Sequence, residues 1–175
     1  MKGYELKVPF KSMQGKVISG YVNVRPYAKE IIRNMSQYFD VVIFTAGNQC
    51  YADPILDYLD PECRIQHRLY RESCTMVNNQ LFVKDLRILG RKLENIVLVD
   101  NAPYSYMMQL ANGIPILNYL KGKEDDQLIK LEPYLMSLLE VEDVRPVNAS
   151  TFRLGEYMRY DNYEKAVQEL YGKWL

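Results

Sequence analysis

The sequence predicts an α/β fold, a doubly wound parallel sheet with inserted β-hairpins. Three observations carry that expectation. Two apolar runs, Val41-Val42-Ile43-Phe44 and Ile96-Val97-Leu98-Val99, are continuous rather than alternating, as in strands buried on both faces. Strand patterns and helical patterns take turns along the chain. Two further segments place strand-forming residues on either side of turn-forming links, which marks hairpins. The buried runs each end in polar groups, Thr45-Ala46-Gly47 and Asp100-Asn101-Ala102-Pro103. Ligands of open α/β sheets sit outside the carboxyl ends of the strands, so these two ends are where chemistry is expected.

The elements follow in order. Tyr4, Leu6, Val8 and Phe10 alternate with Glu5, Lys7 and Lys11, and a second strand runs from Val17 to Val24. Ser12-Met13-Gln14-Gly15-Lys16 can turn between them, giving a hairpin with one wet face. Pro26 is expected to open a helix, because its missing donor would be unpaired there anyway. Ala28, Ile31, Ile32, Met35 and Phe39 supply the apolar stripe of that helix. After the strand ending in Thr45 come a short helix from Tyr51 to Leu59 and a strand within Ile65–Tyr70. An Asn78-Asn79 turn joins Cys74–Val77 to Leu81–Val83 as a second hairpin. Leu86–Leu89 is a helical turn stopped by Gly90. The second buried strand, a helix over Tyr104–Ala111 and a short strand over Ile114–Leu117 follow. Asp125–Leu139 reads as a long helix with Leu128, Ile129, Leu135, Leu138 and Leu139 inward. Beyond Gly155, Tyr163, Val167, Leu170, Tyr171 and Trp174 recur at helical spacing, so 155–175 is expected to be a helical extension of a domain covering 1–154.

Composition narrows the function. A length of 175 residues suffices for one domain with a real core. The formal net charge is zero, which gives bulk nucleic-acid or membrane-surface binding no electrostatic support. Charges interrupt every apolar run, so no membrane span is expected, and the first residues lack the apolar core of a signal peptide. Three cysteines, Cys50, Cys63 and Cys74, are odd in number and not spaced as metal ligands, which suits a reducing compartment. Asn34-Met35-Ser36 and Asn148-Ala149-Ser150 match the loose glycosylation pattern and are read as chance.

Each candidate residue has a chemical reading and a plainer one. Asp100 and Asn101 offer oxygen donors that suit a hard cation such as magnesium; Asp-Asn before Ala-Pro is also good turn chemistry. The Thr45 hydroxyl with the amides of Ala46 and Gly47 could hold a phosphoryl oxygen, or could cap a turn after the strand. Lys84, at the end of the second hairpin, could neutralise phosphate as a point charge or be solvated as most lysines are. Arg68 and Arg71 could recognise phosphate or carboxylate bidentately, or could pair with Glu72. His67, the only histidine, has no serine or cysteine motif with it, so a histidine-based triad is rejected.

Taken together the motifs resemble a known family, the small-phosphatase branch of the RNA polymerase II carboxy-terminal-domain phosphatases, within the haloacid dehalogenase superfamily. The matching stretches are Val24-Arg25-Pro26, Val42-Ile43-Phe44-Thr45-Ala46, Tyr51-Ala52-Asp53-Pro54, Arg68 through Cys74, Val83-Lys84-Asp85-Leu86, Leu89-Gly90-Arg91 and Val99 through Pro103. Asn112 through Ile116, Glu142 through Pro146 and Phe152-Arg153-Leu154 look most like the small-phosphatase-like protein 2 subgroup. The resemblance implies a magnesium-dependent phosphatase acting on phosphoserine or phosphothreonine in proteins through an aspartyl-phosphate, in the nucleus or cytoplasm. It implies that Thr45 binds the transferring phosphoryl group, that Lys84 neutralises its charge, that Asp100 and Asn101 belong to the metal site, and that Tyr51 and Arg71 contact substrate peptide.

One departure is central. The family's Asp-x-Asp-x-Thr, which carries the nucleophile and precedes the first hairpin, has no counterpart here, and no Asp-x-Asp occurs anywhere in the sequence. The resemblance puts that strand in the middle of the sheet, between the strands ending in Thr45 and Asp100. Four buried aliphatic residues there would contribute about 6–12 kcal/mol, against about 5–15 kcal/mol for a whole domain. The expectation is a truncated form with an unfilled central position, inactive as given, which a segment exchanged between two copies could also fill. The alternative is a catalytically dead module that binds phosphoprotein or scaffolds partners. The mitochondrial import-receptor branch is opposed by Arg71-Glu72-Ser73-Cys74 and by Asp100-Asn101-Ala102-Pro103.

Overall fold

A computed structural model describes residues 5–11, 15–121 and 124–159. Tyr4, Ser12, Met13 and Gln14 of the first hairpin, and the helical spacing from Tyr163 to Trp174, lie outside the described residues. The chain divides into two compact units, the described residues of Met1–Cys74 with Tyr119–Leu139, and those of Thr75–Asn118 with Glu140–Leu175.

In the first unit, strands β1 (Leu6–Lys11) and β2 (Val17–Val22) pair antiparallel, Leu6 opposite Val22 and Lys11 opposite Val17. The alternation that predicted the hairpin is real, for Val8 is buried and its neighbours Lys7 and Pro9 are exposed. Helix α1 covers Ala28–Met35 and buries Ile31 and Met35. It starts two residues later than Pro26 suggested, because Tyr27 takes a left-handed conformation (φ 67°) and turns the chain before the helix begins. Strand β3 (Val42–Phe44) lies parallel to β4 (His67–Leu69), with Val42 opposite His67 and Phe44 opposite Leu69. Helix α2 (Gln49–Leu59) connects them and buries Ala52 and Leu56 with Ile65, against Ile32, Val41, Ile43 and Tyr70. Asp60 ends α2 as a buried carboxylate, satisfied by the N–H groups of Arg64 (2.9 Å) and Ile65 (2.7 Å).

Helix α3 (Gln127–Ser137) belongs to this unit and is tied to it by a bidentate pair, Arg25 Nε and Nη2 donating to Asp125 at 3.0 and 2.9 Å, and by Asn34 donating to Glu132 at 3.1 Å. Leu135 and Leu138 are buried, as the periodicity required, but Ile129 and Leu139 are 53% and 43% exposed, against expectation. Ile129 stands roughly 120° around an ideal helix from Leu135, outside the stripe. Leu139 follows the change to a 3₁₀ turn over Leu138–Glu140, which alters the phase.

In the second unit, β5 (Thr75–Val77) and β6 (Leu81–Val83) form the expected hairpin, with Asn78 and Asn79 both at positive φ (52° and 54°). Asparagine tolerates that region better than most residues do. The helical turn is a 3₁₀ segment, Leu86–Leu89, closed by Gly90 at φ 63°. Strands β7 (Leu98–Asp100) and β8 (Gly113–Pro115) are parallel, joined by 3₁₀ structure over Pro103–Asn112 that breaks at Tyr106 and Gln109. Helix α4 (Val144–Thr151) follows, capped by the Asp143 side chain. Val83, Leu86, Tyr106, Ile114 and Leu154 are at most 1% exposed and form the interior.

Strands form at or beside each predicted segment, and among the described residues they make four two-stranded sheets. Among the described residues β3 pairs only with β4, and β7 only with β8. No described helix is long and apolar enough to cross a membrane.

Candidate phosphate site

Thr45, Tyr51 and Arg71 lie in the first unit. Thr45 leaves the end of β3 with its N–H donated to Leu69 O (2.9 Å), and its hydroxyl accepts the N–H of Gly47 (3.0 Å). The plainer expectation for Thr45, a turn after the strand, is thus present in the geometry. Arg71 closes the loop from the other side, its Nε donating to Ala46 O (2.6 Å) and its N–H to Gly47 O (3.1 Å). The two strand ends, Thr45–Gly47 and Leu69–Arg71, are in this way one hydrogen-bonded structure. Tyr51, in the first turn of α2, meets Phe10 of β1 edge to face at 5.2 Å. Gly20 on β2 permits this, because a Cβ there would stand 2.8 Å from the Tyr51 ring.

Arg68 is part of a network with α2. It pairs with Asp53 (3.2 Å) and Asp57 (2.8 Å), and the Tyr70 hydroxyl donates to Asp53. Burial pushes the Asp53 carboxyl up, but hydrogen bonds from Tyr70, Gln49 and Arg68 outweigh it and hold the group below the ordinary aspartate range. The Tyr70 phenol is raised, by burial first and then by its bond to Asp53. Sequence reasoning missed this network. Its one legible signal is the spacing of Asp53 and Asp57, four apart on a helix and so on one face.

Lys84, Asp100 and Asn101 lie in the second unit. Lys84 follows β6 and is only 9% exposed, so it is not the solvated lysine of the plainer reading. Its Nζ donates to Asp100 Oδ2, and its backbone N–H to Ser105 O (2.8 Å). Asp100 Oδ1 accepts the Ala102 N–H at 2.8 Å, the expected turn, and Asn101 donates to Asn118. Asp85 caps the following 3₁₀ segment, and hydrogen bonds from the Arg87 side chain hold its carboxyl down, to about 2.

These donors fit only part of a magnesium shell. Both oxygens of Asp100 are engaged, one by an ammonium and one by an amide, and the carboxamide of Asn101 is the only neighbour in sequence with a side-chain oxygen. Among the described residues no group of three or more His, Cys, Asp or Glu is gathered that could hold a metal.

Residues 2–145 match the family described as NLI interacting factor-like phosphatase. The chain is 42% identical over 134 residues to CTD small phosphatase-like protein 2 of Dictyostelium discoideum, covering 77% of this chain and 24% of that protein. It is 37% identical over 132 residues to human CTD small phosphatase-like protein, covering 75% of this chain and 48% of that one. The fold is shared with the fission yeast RNA polymerase II CTD phosphatase Fcp1 (TM-score 0.57, 16% identity, 85% of this chain and 44% of that one). The chain spans a quarter to a half of the length of these relatives. The chain belongs to the NLI interacting factor-like phosphatases.

Proposed function

We propose that these 175 residues form most of a phosphatase domain that removes phosphate from serine or threonine side chains of proteins, and that they are inactive without an added strand carrying Asp-x-Asp-x-Thr. The observation that carries the reading is Lys84. An ammonium taken out of water is costly unless paired, and here it is buried against a carboxylate at the end of a buried-type strand. Such a charge is pre-positioned to stabilise negative charge that develops on a transferring phosphoryl group. In this reading Thr45 and the amides after it bind the phosphoryl oxygens, while Tyr51 and Arg71 contact the substrate peptide. Arg71 does so from a guanidinium whose Nε is already fixed on Ala46 O. Asp100 and Asn101 supply part of a magnesium site that carboxylates of the added strand complete; the ion, when bound, offsets phosphate charge. The proposed setting is nuclear or cytoplasmic, with a phosphoprotein as partner.

The absence of Asp-x-Asp from the 175 residues favours a second reading, a phosphoprotein-binding module without catalysis. The two separate in one experiment. The chain is fused to an N-terminal strand bearing Asp-x-Asp-x-Thr from a relative and given matched phosphoserine, phosphothreonine and phosphotyrosine peptides. The phosphatase reading expects magnesium-dependent release of phosphate from the first two, lost in Thr45→Val and Lys84→Ala. Peptide binding with no release supports the binding module instead.

A further inference from the structure

We infer that Gln109 is a positioning residue for Lys84, acting through the side chain of Asp85 and the backbone of Leu86; the inference deepens the phosphatase reading above and rests on it for its functional meaning. The 3₁₀ stretch Pro103–Asn112 breaks at Gln109, whose backbone (φ −132°, ψ 61°) is not helical. That break accompanies a carboxamide used at both ends. Gln109 Oε1 accepts the Leu86 N–H at 3.0 Å, and Gln109 Nε2 donates to Asp85 Oδ1 at 3.1 Å. Two residues of the strand exit are thereby stapled to one side chain, and Lys84 itself donates its N–H to Ser105 O on the same 3₁₀ stretch, at 2.8 Å.

The other half of the ion pair is indexed to that stretch as well. Asp100 Oδ1 accepts the Ala102 N–H at 2.8 Å, and the Ser105 N–H donates to Ala102 O at 2.8 Å. Both ends of the Lys84–Asp100 pair therefore hang from residues 102–109, and Gln109 is the side chain that fixes the Lys84 end. A lysine has four rotatable bonds and loses much rotamer freedom when held. Holding its own N–H at Ser105 O, and the two residues after it at Gln109, limits where the ammonium can reach. Arg87 adds three hydrogen-bonding atoms on Asp85, but its side chain is 67% exposed and it ties Asp85 to its own 3₁₀ turn, not to Pro103–Asn112. Gln109 bonds Asp85 and Leu86 from Pro103–Asn112 with one side chain.

The test reads Lys84 directly in the 175-residue chain, by NMR relaxation of the lysine ε-methylene carbons. In the wild type Lys84 is expected to be the more restrained, because the Lys92 side chain is 78% exposed and its pair with Glu94 (3.2 Å) lies at the surface. Gln109→Met, close in volume but without hydrogen bonds, is expected to bring the Lys84 order parameter toward that of Lys92, with the methyl signals of the interior unchanged. Lys84 as restrained as in the wild type, in a variant whose amide spectrum shows an intact fold, overturns the inference. Should Gln109→Met unfold the unit, Gln109→Glu decides. It keeps the acceptor for Leu86 and sets a carboxylate against Asp85, so loosened Lys84 supports the inference and unchanged Lys84 overturns it. The measurement needs no turnover, so it fails or succeeds independently of whether the domain is a phosphatase.

Discussion

Breaking the Lys84–Asp100 pair from one side should cost far more than replacing both partners. The side chains are 11% and 8% exposed, so solvent does little to screen them. Removing one partner of a buried pair leaves an uncompensated charge, at about 3–5 kcal/mol. In Lys84→Met the abandoned carboxylate keeps the Ala102 N–H, which offsets about 1 kcal/mol and places the variant near about 3 kcal/mol. Asp100→Asn keeps an acceptor for Ala102 but strands the ammonium, at a similar cost. The double variant Lys84→Met/Asp100→Asn has no buried charge and retains the turn, so it should lie within about 1 kcal/mol of the wild type. In a thermal melt the single variants would fall by about 6–12 °C, at roughly 2–4 °C per kcal/mol for a chain of this size. Urea unfolding of all four proteins, followed by circular dichroism, gives the coupling energy directly. Single variants that lose less than about 1 kcal/mol, or a double variant that loses the sum, would refute the reasoning, because the pair would then not be a buried, mutually dependent one.

Three other outcomes follow from the same geometry. Gly113→Ala should destabilise by about 3 kcal/mol in a thermal melt, since its Cβ would stand 2.3 Å from the ring of the fully buried Tyr106, which has nowhere to go. Asp53→Asn should lower the Tyr70 phenol toward the ordinary tyrosine range, seen in the phenolate absorbance on alkaline titration, because it removes the carboxylate charge that Tyr70 faces. Asp85 sits at about 2 in the fold against 3.8 for an unperturbed aspartate, so its contribution is complete above the higher value and is lost as pH falls through the lower one. Asp85→Asn should accordingly weaken the acid dependence of stability between about pH 4 and pH 2, while leaving the neutral-to-alkaline limb unchanged.

The parts of the fold governed by local pattern were legible in the sequence. The alternation around Val8, the unbroken runs Val41–Phe44 and Ile96–Val99, the Asn78-Asn79 turn and the Gly90 stop all act within a few residues; strands form at Val42–Phe44 and, shifted toward the polar end, at Leu98–Asp100, and the turn and stop stand where predicted. What depended on distant partners was less so. Ile129 is apolar and helical but lies off the buried stripe, which only packing of α3 could define. Arg68 has Glu72 close by in sequence, yet it bonds to Asp53 and Asp57, 15 and 11 residues away, because α2 brings those carboxylates over the end of β4. Lys84 shows the same limit at the candidate site. Its position after a hairpin was readable, but its burial and its pairing with Asp100, 16 residues on, depend on β6 and β7 meeting the residues between them. The doubly wound sheet was legible as strands and not as one sheet, since β3 and β7 have one strand partner each among the described residues.

In the function proposed above, this chain holds the phosphate-binding and charge-neutralising residues of a protein phosphatase but not its nucleophile. The most direct measurement is magnesium-dependent phosphate release from a phosphoserine peptide by two purified proteins, the 175-residue chain and the same chain joined to a strand ending in Asp-x-Asp-x-Thr. The account predicts no release from the first, and release from the second that disappears in Lys84→Ala. Release by the 175-residue chain that Lys84→Ala abolishes, or a folded fusion that releases none, would contradict it.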